Sequence, residues 1–244
     1  MSSVRPVLVW DLPTRLFHWL LVIAVVISYL TGGEEGRPFV VHTVSGYAIA
    51  LLLLFRVIWG VIGSPRSRFS DFVHGPRTVA RYARRLLGLV PPRYIGHNPL
   101  GGWMVILMLI VLAVTVVTGL FSGEQGEASG LFFPWIAAPG SEGLGEVHEV
   151  FANLVVVLAI IHVCAVLADW WLTRENLVSS MISGFKQLDE ASAAAEKPVA
   201  SPGRMILAAG VVAIAGVFLF AKTDFAAMAG AEGEKIEHDQ EDHD

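Results

Sequence analysis

The chain has 244 residues, of which 54% are hydrophobic and only 16% are charged, a composition typical of integral membrane proteins rather than soluble domains. Its single cysteine, Cys164, excludes an internal disulfide, a multi-cysteine zinc or iron–sulfur site and covalent c-type haem attachment. The net charge of -5 is less informative than the positions of the charges, because cationic loops set membrane topology.

Hydropathy predicts five membrane-spanning helices. Four belong to one transmembrane domain, residues 1–187, which is followed by a linker, residues 188–203, an extra span, residues 204–222, and an acidic disordered tail, residues 223–244. The predicted fold class is an all-α membrane protein, a four-helix bundle with a fifth C-terminal transmembrane helix. In chain order the spans run from about Leu16 to Thr31, Val40 to Ile62, Leu100 to Phe121, Glu146 to Trp171 and Met205 to Ala221.

The charges of the loops indicate how these spans are oriented. The stretch from Gly63 to His97 has seven arginines and one acidic residue, whereas the loop from Ser122 to Glu146 has four glutamates and no Lys or Arg. Because cationic loops stay on the inner side, the first stretch is predicted to be cytoplasmic and the second to lie outside. The N-terminus is then cytoplasmic. The arginine-rich stretch is also amphipathic at helical spacing, so we expect part of it to lie along the membrane surface.

The fourth span, EVHEVFANLVVVLAIIHVCAVLADWW, has two histidines, His148 and His162, fourteen residues apart. At about 100° per residue, fourteen steps end about 40° short of four full turns, so both imidazoles leave the same face of the helix. They are about 21 Å apart along the axis, most of the way across a hydrocarbon core of about 30 Å. Histidines inside a membrane span are candidates for a functional site, because burying an imidazole without a partner is costly.

Two further histidines match these two depths. His18 and His42 lie near the starts of the first and second spans, and consecutive spans run in opposite directions. His42 and His148 are therefore both predicted near the outer face, and His18 and His162 both toward the inner face. Two bis-imidazole sites in a helical bundle are what two b-type haems need, since each iron takes two axial nitrogens. The predicted cofactors are two haem b groups with these four histidines as the metal ligands.

Other roles for these histidines have weaker support. A lone histidine in a span is more often a hydrogen-bonded contact between helices than a ligand. A zinc site needs its ligands close together, which residues about 21 Å apart do not provide. A proton relay would usually include Asp or Glu inside the membrane, and the interiors of the first four spans contain almost none.

Haem propionates need counter-charges, and Arg15 and Arg56 are placed to provide them. Arg15 precedes His18 by one turn, and Arg56 follows His42 by fourteen residues, on the same helical face. An unpaired guanidinium in this apolar run would be costly. We therefore expect a propionate or a backbone carbonyl as the partner of Arg56, the alternative being a side chain that snorkels to the membrane interface.

Four segments carry motifs of a known family: VWDLPTRLFHW at the first span, LLFRVIWGVIGS before the cationic loop, GHNPLG opening the third span, and HEVFANLVVVLAIIHV in the fourth. Together, over about Val9 to Lys186, they resemble the bacterial cytochrome b561 and nickel–iron hydrogenase b-type cytochrome family. The resemblance implies a diheme protein of the bacterial inner membrane that passes electrons between the quinone pool and a partner redox protein. It also implies that His18 and His162 match the inner haem ligands and that His42 and His148 match the outer ones.

A quinone site is implied by the same resemblance. In the similar b subunit of formate dehydrogenase, the quinone lies beside the inner haem, near an Asn and a Gly that open the third helix. Asn98 and Gly101 occupy comparable places here, with His97 adjacent as a proton donor or acceptor. This implies contact with ubiquinone or menaquinone. The alternative is that Asn98 and Pro99 serve only as the cap and the first-turn residue of the helix.

Two classes of function follow. In the first, the chain is an electron-transfer subunit whose partner is a periplasmic cytochrome c or a dehydrogenase such as hydrogenase. In the second, it is a self-contained oxidoreductase such as a superoxide:quinone oxidoreductase. The glutamates of the outer loop would not steer superoxide, which favours a protein partner, and a transporter would need embedded carboxylates and broken helices. Membrane lipid and quinone are the other expected partners, and no nucleic acid is expected.

Overall fold

The structure is a computed structural model and describes residues 4–33, 36–89, 92–123, 130–132, 142–189, 199–223 and 225. It is mainly helical, with one short sheet. The elements in chain order are β1 (Val4–Leu8), α1 (Leu12–Thr31), α2 (Arg37–Ile62), a 3-10 turn (Pro65–Ser67), α3 (Phe69–Phe72), α4 (Pro76–Leu87), α5 (Pro99–Phe121), α6 (Glu142–Thr173), α7 (Leu177–Ser183), β2 (Phe185–Asp189) and α8 (Pro202–Lys222).

Five of these helices, α1, α2, α5, α6 and α8, are long and apolar enough to cross a membrane, which confirms the predicted all-α membrane fold and its fifth span. Each begins one to four residues before its predicted start. The reason is visible in four of them, whose first or second residue is a proline. Proline has no N–H to lose in the first turn, so it starts a helix before the apolar run begins. These prolines are Pro13, Pro38, Pro99 and Pro202.

The exposed surfaces of the long helices are apolar. Leu30 in α1, Val150 in α6 and Ile214 in α8 are 73%, 63% and 74% exposed. Large aliphatic side chains of this kind are solvated by lipid tails in a membrane, where they carry no cost. The exposure of these apolar side chains thus agrees with the composition, since both are typical of a protein that spans a lipid bilayer.

The chain comprises two compact units. The first contains the described residues of Met1–Trp19, Leu54–Ile110 and Val156–Gly210, and the second contains those of Leu20–Leu53, Val111–Val155 and Val211–Asp244. Every long helix contributes one segment to each unit. His18 and His162 fall in the first unit, and His42 and His148 fall in the second.

The two-stranded sheet lies in the first unit and is not foreseen by the hydropathy pattern. β1 and β2 are antiparallel, in a register that pairs Val4 with Asp189 and Leu8 with Phe185. Just after β1, the backbone N–H groups of Val9 and Trp10 both donate to the carbonyl of Gly184, at 2.8 and 3.1 Å. Residues that precede the first predicted span are therefore a strand, and β2 continues two residues past residue 187, the predicted end of the transmembrane domain.

Helix α8 packs along α2 within each unit. In the second unit, the Thr223 hydroxyl donates to the Tyr47 hydroxyl at 2.9 Å, and the ring of Phe220 meets the Tyr47 ring edge-on. In the first unit, Arg204 donates to the carbonyl of Ile62 at 3.3 Å. The fifth span is thus a packed element. The acidic tail beyond residue 225 and residues 190–198 of the predicted linker lie outside the described residues.

Helix α4 has the amphipathic character expected of the arginine-rich stretch. Tyr82 is buried, and the phenol keeps its proton because burial raises its pKa to about 12, with smaller contributions from Asp169 and Tyr94. The opposite face is exposed and carries Arg77, Arg81, Arg84 and Arg85. Its position along a membrane surface stays a prediction.

Candidate functional site

In the second unit, His42 of α2 and His148 of α6 face each other. Their ring centroids are 5.9 Å apart and the ring planes are inclined by 82°. The Nδ1 atom of His42 lies 2.8 Å from the carbonyl oxygen of Ser28, and the Nδ1 atom of His148 lies 2.7 Å from that of Thr115. Because a carbonyl oxygen only accepts, each Nδ1 carries the hydrogen, and each Nε2 is left with its lone pair.

This arrangement fits a haem. With ring centroids 5.9 Å apart, the imidazoles of His42 and His148 would hold the iron of one haem, which would supply a one-electron couple there. Orientation of a ligand histidine by an Nδ1–H bond to a carbonyl is the usual supporting contact of such sites. Gly119 makes room for one ring, since a Cβ there would lie only 2.7 Å from Cε1 of His148.

In the first unit, His18 of α1 and His162 of α6 are the other two predicted ligands, and their imidazoles are close enough to interact electrostatically. The Nδ1 atom of His18 is buried and has no hydrogen-bond partner within the described part of the chain, and the ring meets that of Trp19 edge-on at 4.9 Å. Among the described residues, this pair has no Nδ1–carbonyl contact of the kind seen at His42 and His148.

The two arginines proposed as counter-charges are both held by backbone carbonyls. Arg15 donates through Nη1 to the carbonyl of Ile182 at 2.6 Å, while its Nε is buried without a partner among the described residues. Arg56 is only 3% exposed and donates through Nη1 to the carbonyl of Ser67 at 3.0 Å. Its guanidinium therefore does not snorkel to an interface. Three phenylalanine rings pack around it at 4.9 to 5.9 Å, those of Phe17, Phe69 and Phe72.

Comparison with known proteins matches residues 9–184 to the prokaryotic cytochrome b561 family. The chain belongs to this family. Among the relatives of this cytochrome are probable Ni/Fe-hydrogenase B-type cytochrome subunits. That of Bradyrhizobium diazoefficiens is 29% identical over 75% of this chain and 87% of the relative. That of Cupriavidus necator is 25% identical over 76% of this chain and 88% of the relative. That of Rhodobacter capsulatus is 26% identical over 76% of this chain and 84% of the relative. No solved structure matches significantly.

Family membership, together with the five apolar helices, makes this chain a multi-pass membrane cytochrome of the b type, which carries haem b and transfers electrons. The matched segment contains all four paired histidines. It ends before α8, so the fifth helix is an addition to the part that defines the family.

A buried polar network in the first unit of the cytochrome was missed by the sequence reasoning. Asp11, 3% exposed, accepts from the backbone N–H of Thr14 at 3.0 Å and from Nε1 of Trp59 at 3.1 Å. The Ser67 hydroxyl lies 3.4 Å from the same carboxylate, and Arg56 interacts with it electrostatically. One signal was available, because Asp before Leu-Pro-Thr is an N-cap pattern.

Asn98 and Gly101 are brought together at the start of α5. The side-chain oxygen of Asn98 accepts from the backbone N–H of Gly101 at 2.7 Å, as an N-cap does. The amide nitrogen donates to Asp169 at 3.3 Å. The helix-start role is therefore observed, and contact of Asn98 and Gly101 with quinone stays a prediction.

His97, next to Asn98, is packed between the rings of Trp10 and Phe72, with centroids at 4.6 and 4.5 Å. Burial and, to a smaller extent, the nearby charges of Arg56 and Lys186 together lower the pKa of His97 to about 3. The imidazole is therefore neutral at physiological pH. It can form hydrogen bonds, but it holds no extra proton to donate to a quinone.

Proposed function

We propose that this cytochrome binds two haem b groups and passes electrons across the membrane between a hydrogenase and the quinone pool. The observation that supports this most strongly is the distribution of four histidines from α1, α2 and α6, of which two lie in each compact unit. At His42 and His148 the ring separation and the Nδ1 hydrogen bonds suit axial ligation. We assign one haem to this pair and the other to His18 and His162.

The protein's part in this chemistry is to hold and orient the ligands. The haem, when bound, supplies a one-electron iron couple. The carbonyls of Ser28 and Thr115 fix the tautomer and rotation of the imidazoles of His42 and His148, so that each Nε2 is available. Since each histidine pair comes from two helices, ligation also ties α2 to α6 in the second unit and α1 to α6 in the first.

Arg15 and Arg56 are proposed to offset the charge of haem propionates. Both lie in the first unit with His18 and His162. Each already donates to a backbone carbonyl, and a guanidinium has five N–H donors, so further bonds are available. Of these two arginines, Arg15 has the buried Nε that lacks a partner among the described residues.

The hydrogenase is proposed as the electron donor because the relatives are named as its cytochrome subunits. Haem reduction driven by hydrogen gas tests this. Membranes that contain the full chain and the same organism's membrane-bound hydrogenase should develop the absorption bands of reduced b-type haem under hydrogen, and removal of the hydrogenase should abolish them. Reduction by superoxide with turnover of quinone, in the absence of any hydrogenase, would overturn this assignment and support a superoxide:quinone oxidoreductase.

The quinone is proposed to bind beside Asn98 and Gly101, on the inner side, with the N-terminus in the cytoplasm. Replacing Asn98 by Ser tests the site, because serine still caps α5 but lacks the amide. We expect kcat/KM for a quinone substrate to fall about fivefold, the effect of one lost hydrogen bond, with the haem content unchanged. The matched control is Asn153→Ser, which removes an amide bonded to Tyr29 in the second unit. Unchanged quinone kinetics in Asn98→Ser would exclude this site.

A further inference from the structure

A basic cleft lies in the first unit, at the end of α6 and beside β2. Its volume is about 720 Å³. The charged and polar residues that line it include Arg93, Arg174, Lys186, Glu175, Ser179 and Gln187. Neither the four candidate ligand histidines nor Asn98 lines it, and the proposed function does not use it.

The cleft has an excess of positive charge. Glu175 is its one carboxylate, and it pairs with Lys186 at 3.2 Å and with Arg93 at 3.7 Å. Three cations line the cleft against this one anion, and Lys186 also interacts electrostatically with Asp169, which leaves Arg174 as the uncompensated cation among the described residues that line it. The guanidinium of Arg174 is exposed and forms no hydrogen bond or ion pair with any other residue in the described ranges. The cleft is therefore suited to an anion, with Arg174 as a free donor.

The backbone at Arg174 is a second observation. Its N–H closes the last turn of α6 by donating to the carbonyl of Trp170 at 2.9 Å, and its φ is 61°. This left-handed position at a helix end favours glycine. An arginine there costs backbone energy that a glycine would not. Replacing Arg174 by glycine therefore removes the side chain without straining the backbone. Leu89, with a φ of 57° after α4, is the other non-glycine residue with positive φ among those described.

The depth of the cleft indicates where the anion comes from. The apolar span of α6 ends at Thr173, immediately before Arg174. Trp170 and Trp171 precede it and are exposed, as aromatic residues are at a membrane interface. Phe185, which lines the cleft, and Ile182, which precedes the lining residue Ser183, also expose apolar surface. Acyl chains could lie along these side chains while a headgroup occupies the cleft.

We propose that the basic cleft binds the phosphodiester headgroup of an anionic phospholipid, with Arg174 and Arg93 as its cationic contacts. Juxtamembrane basic pockets recognise anionic lipids in this way, each cation near the surface strengthening binding about fivefold. A free phosphate ion offers the same anionic oxygens as the headgroup. Only a lipid also has acyl chains that can contact the exposed apolar side chains of Trp170, Trp171, Ile182 and Phe185.

The test is thermal unfolding of the delipidated full-length cytochrome in detergent, titrated with phosphatidylglycerol, phosphatidylcholine or inorganic phosphate. Phosphatidylglycerol alone should raise the apparent Tm, and the effect should weaken in high salt. In Arg174→Gly the apparent dissociation constant for phosphatidylglycerol should rise about fivefold, while the Tm without lipid is no lower than in the wild type. The control, Leu89→Gly, relieves the same backbone conformation and should leave lipid binding unchanged.

Three outcomes would overturn the proposal. Equal stabilisation by phosphatidylcholine would mean that no anionic headgroup is recognised. Equal stabilisation by inorganic phosphate would mean that the cleft takes the free ion and not a lipid. Unchanged phosphatidylglycerol binding in Arg174→Gly would mean that the lipid binds elsewhere.

Discussion

Replacing His148 by alanine is expected to lower the haem content from about two haem b groups per chain to about one. The remaining imidazole, His42, would have no second axial ligand opposite it, while His18 and His162 would keep both of theirs. The measurement is haem b per protein by the pyridine haemochrome method on the purified full chain. His42→Ala should give the same loss, and electron transfer through the cytochrome should stop in both variants.

The control for this prediction is His74→Ala. His74 lies between α3 and α4, where its Nδ1 bonds to the carbonyl of Phe72, and it belongs to neither pair. It should keep the full haem content. His18→Ala should lose the haem that His148→Ala keeps, so the double variant should lose both. Retention of both haems in His148→Ala would show that the pairing is wrong.

The juxtaposition of His42 with His148 could be predicted because it depends on few quantities. Helical periodicity places His148 and His162 on one face, and loop charge gives each histidine a depth. The carbonyl contacts of Ser28 and Thr115 could not be predicted in this way, since they depend on how neighbouring helices are rotated and shifted against one another. Hydropathy does not contain that information.

The same distinction applies to the fold. Apolar runs of sufficient length predicted all five spans, since a helix satisfies the backbone groups of a lipid-exposed segment within that segment. Strands β1 and β2 were missed because they are five residues each and lie at opposite ends of the family segment. Pairing of such distant short strands is fixed by tertiary contacts, here the carbonyl of Gly184 that accepts from both Val9 and Trp10.

Replacing Asp11 by alanine is expected to be the most destabilising change in the first unit. It removes the acceptor of the Thr14 backbone N–H and leaves the indole N–H of Trp59 unpaired. It also removes the carboxylate that interacts electrostatically with the buried Arg56. Unsatisfied buried groups and an uncompensated buried charge together should cost about 3 kcal/mol. For a chain of this size the apparent Tm should fall by about 10 °C. Glu146→Ala, which removes an exposed carboxylate from α6, should leave the Tm within about one degree of the wild type.

A double-mutant cycle with Arg56→Met distinguishes the two roles open to Arg56. If the guanidinium serves mainly to balance Asp11, Arg56→Met should recover part of the stability lost in Asp11→Ala, because the uncompensated charge is gone. If it also offsets a haem propionate, Arg56→Met should lower the midpoint potential of one haem, since a nearby positive charge favours the reduced, more negative state. Additive stability effects together with an unchanged potential would contradict both roles, and would leave Arg56 as a packing residue among Phe17, Phe69 and Phe72.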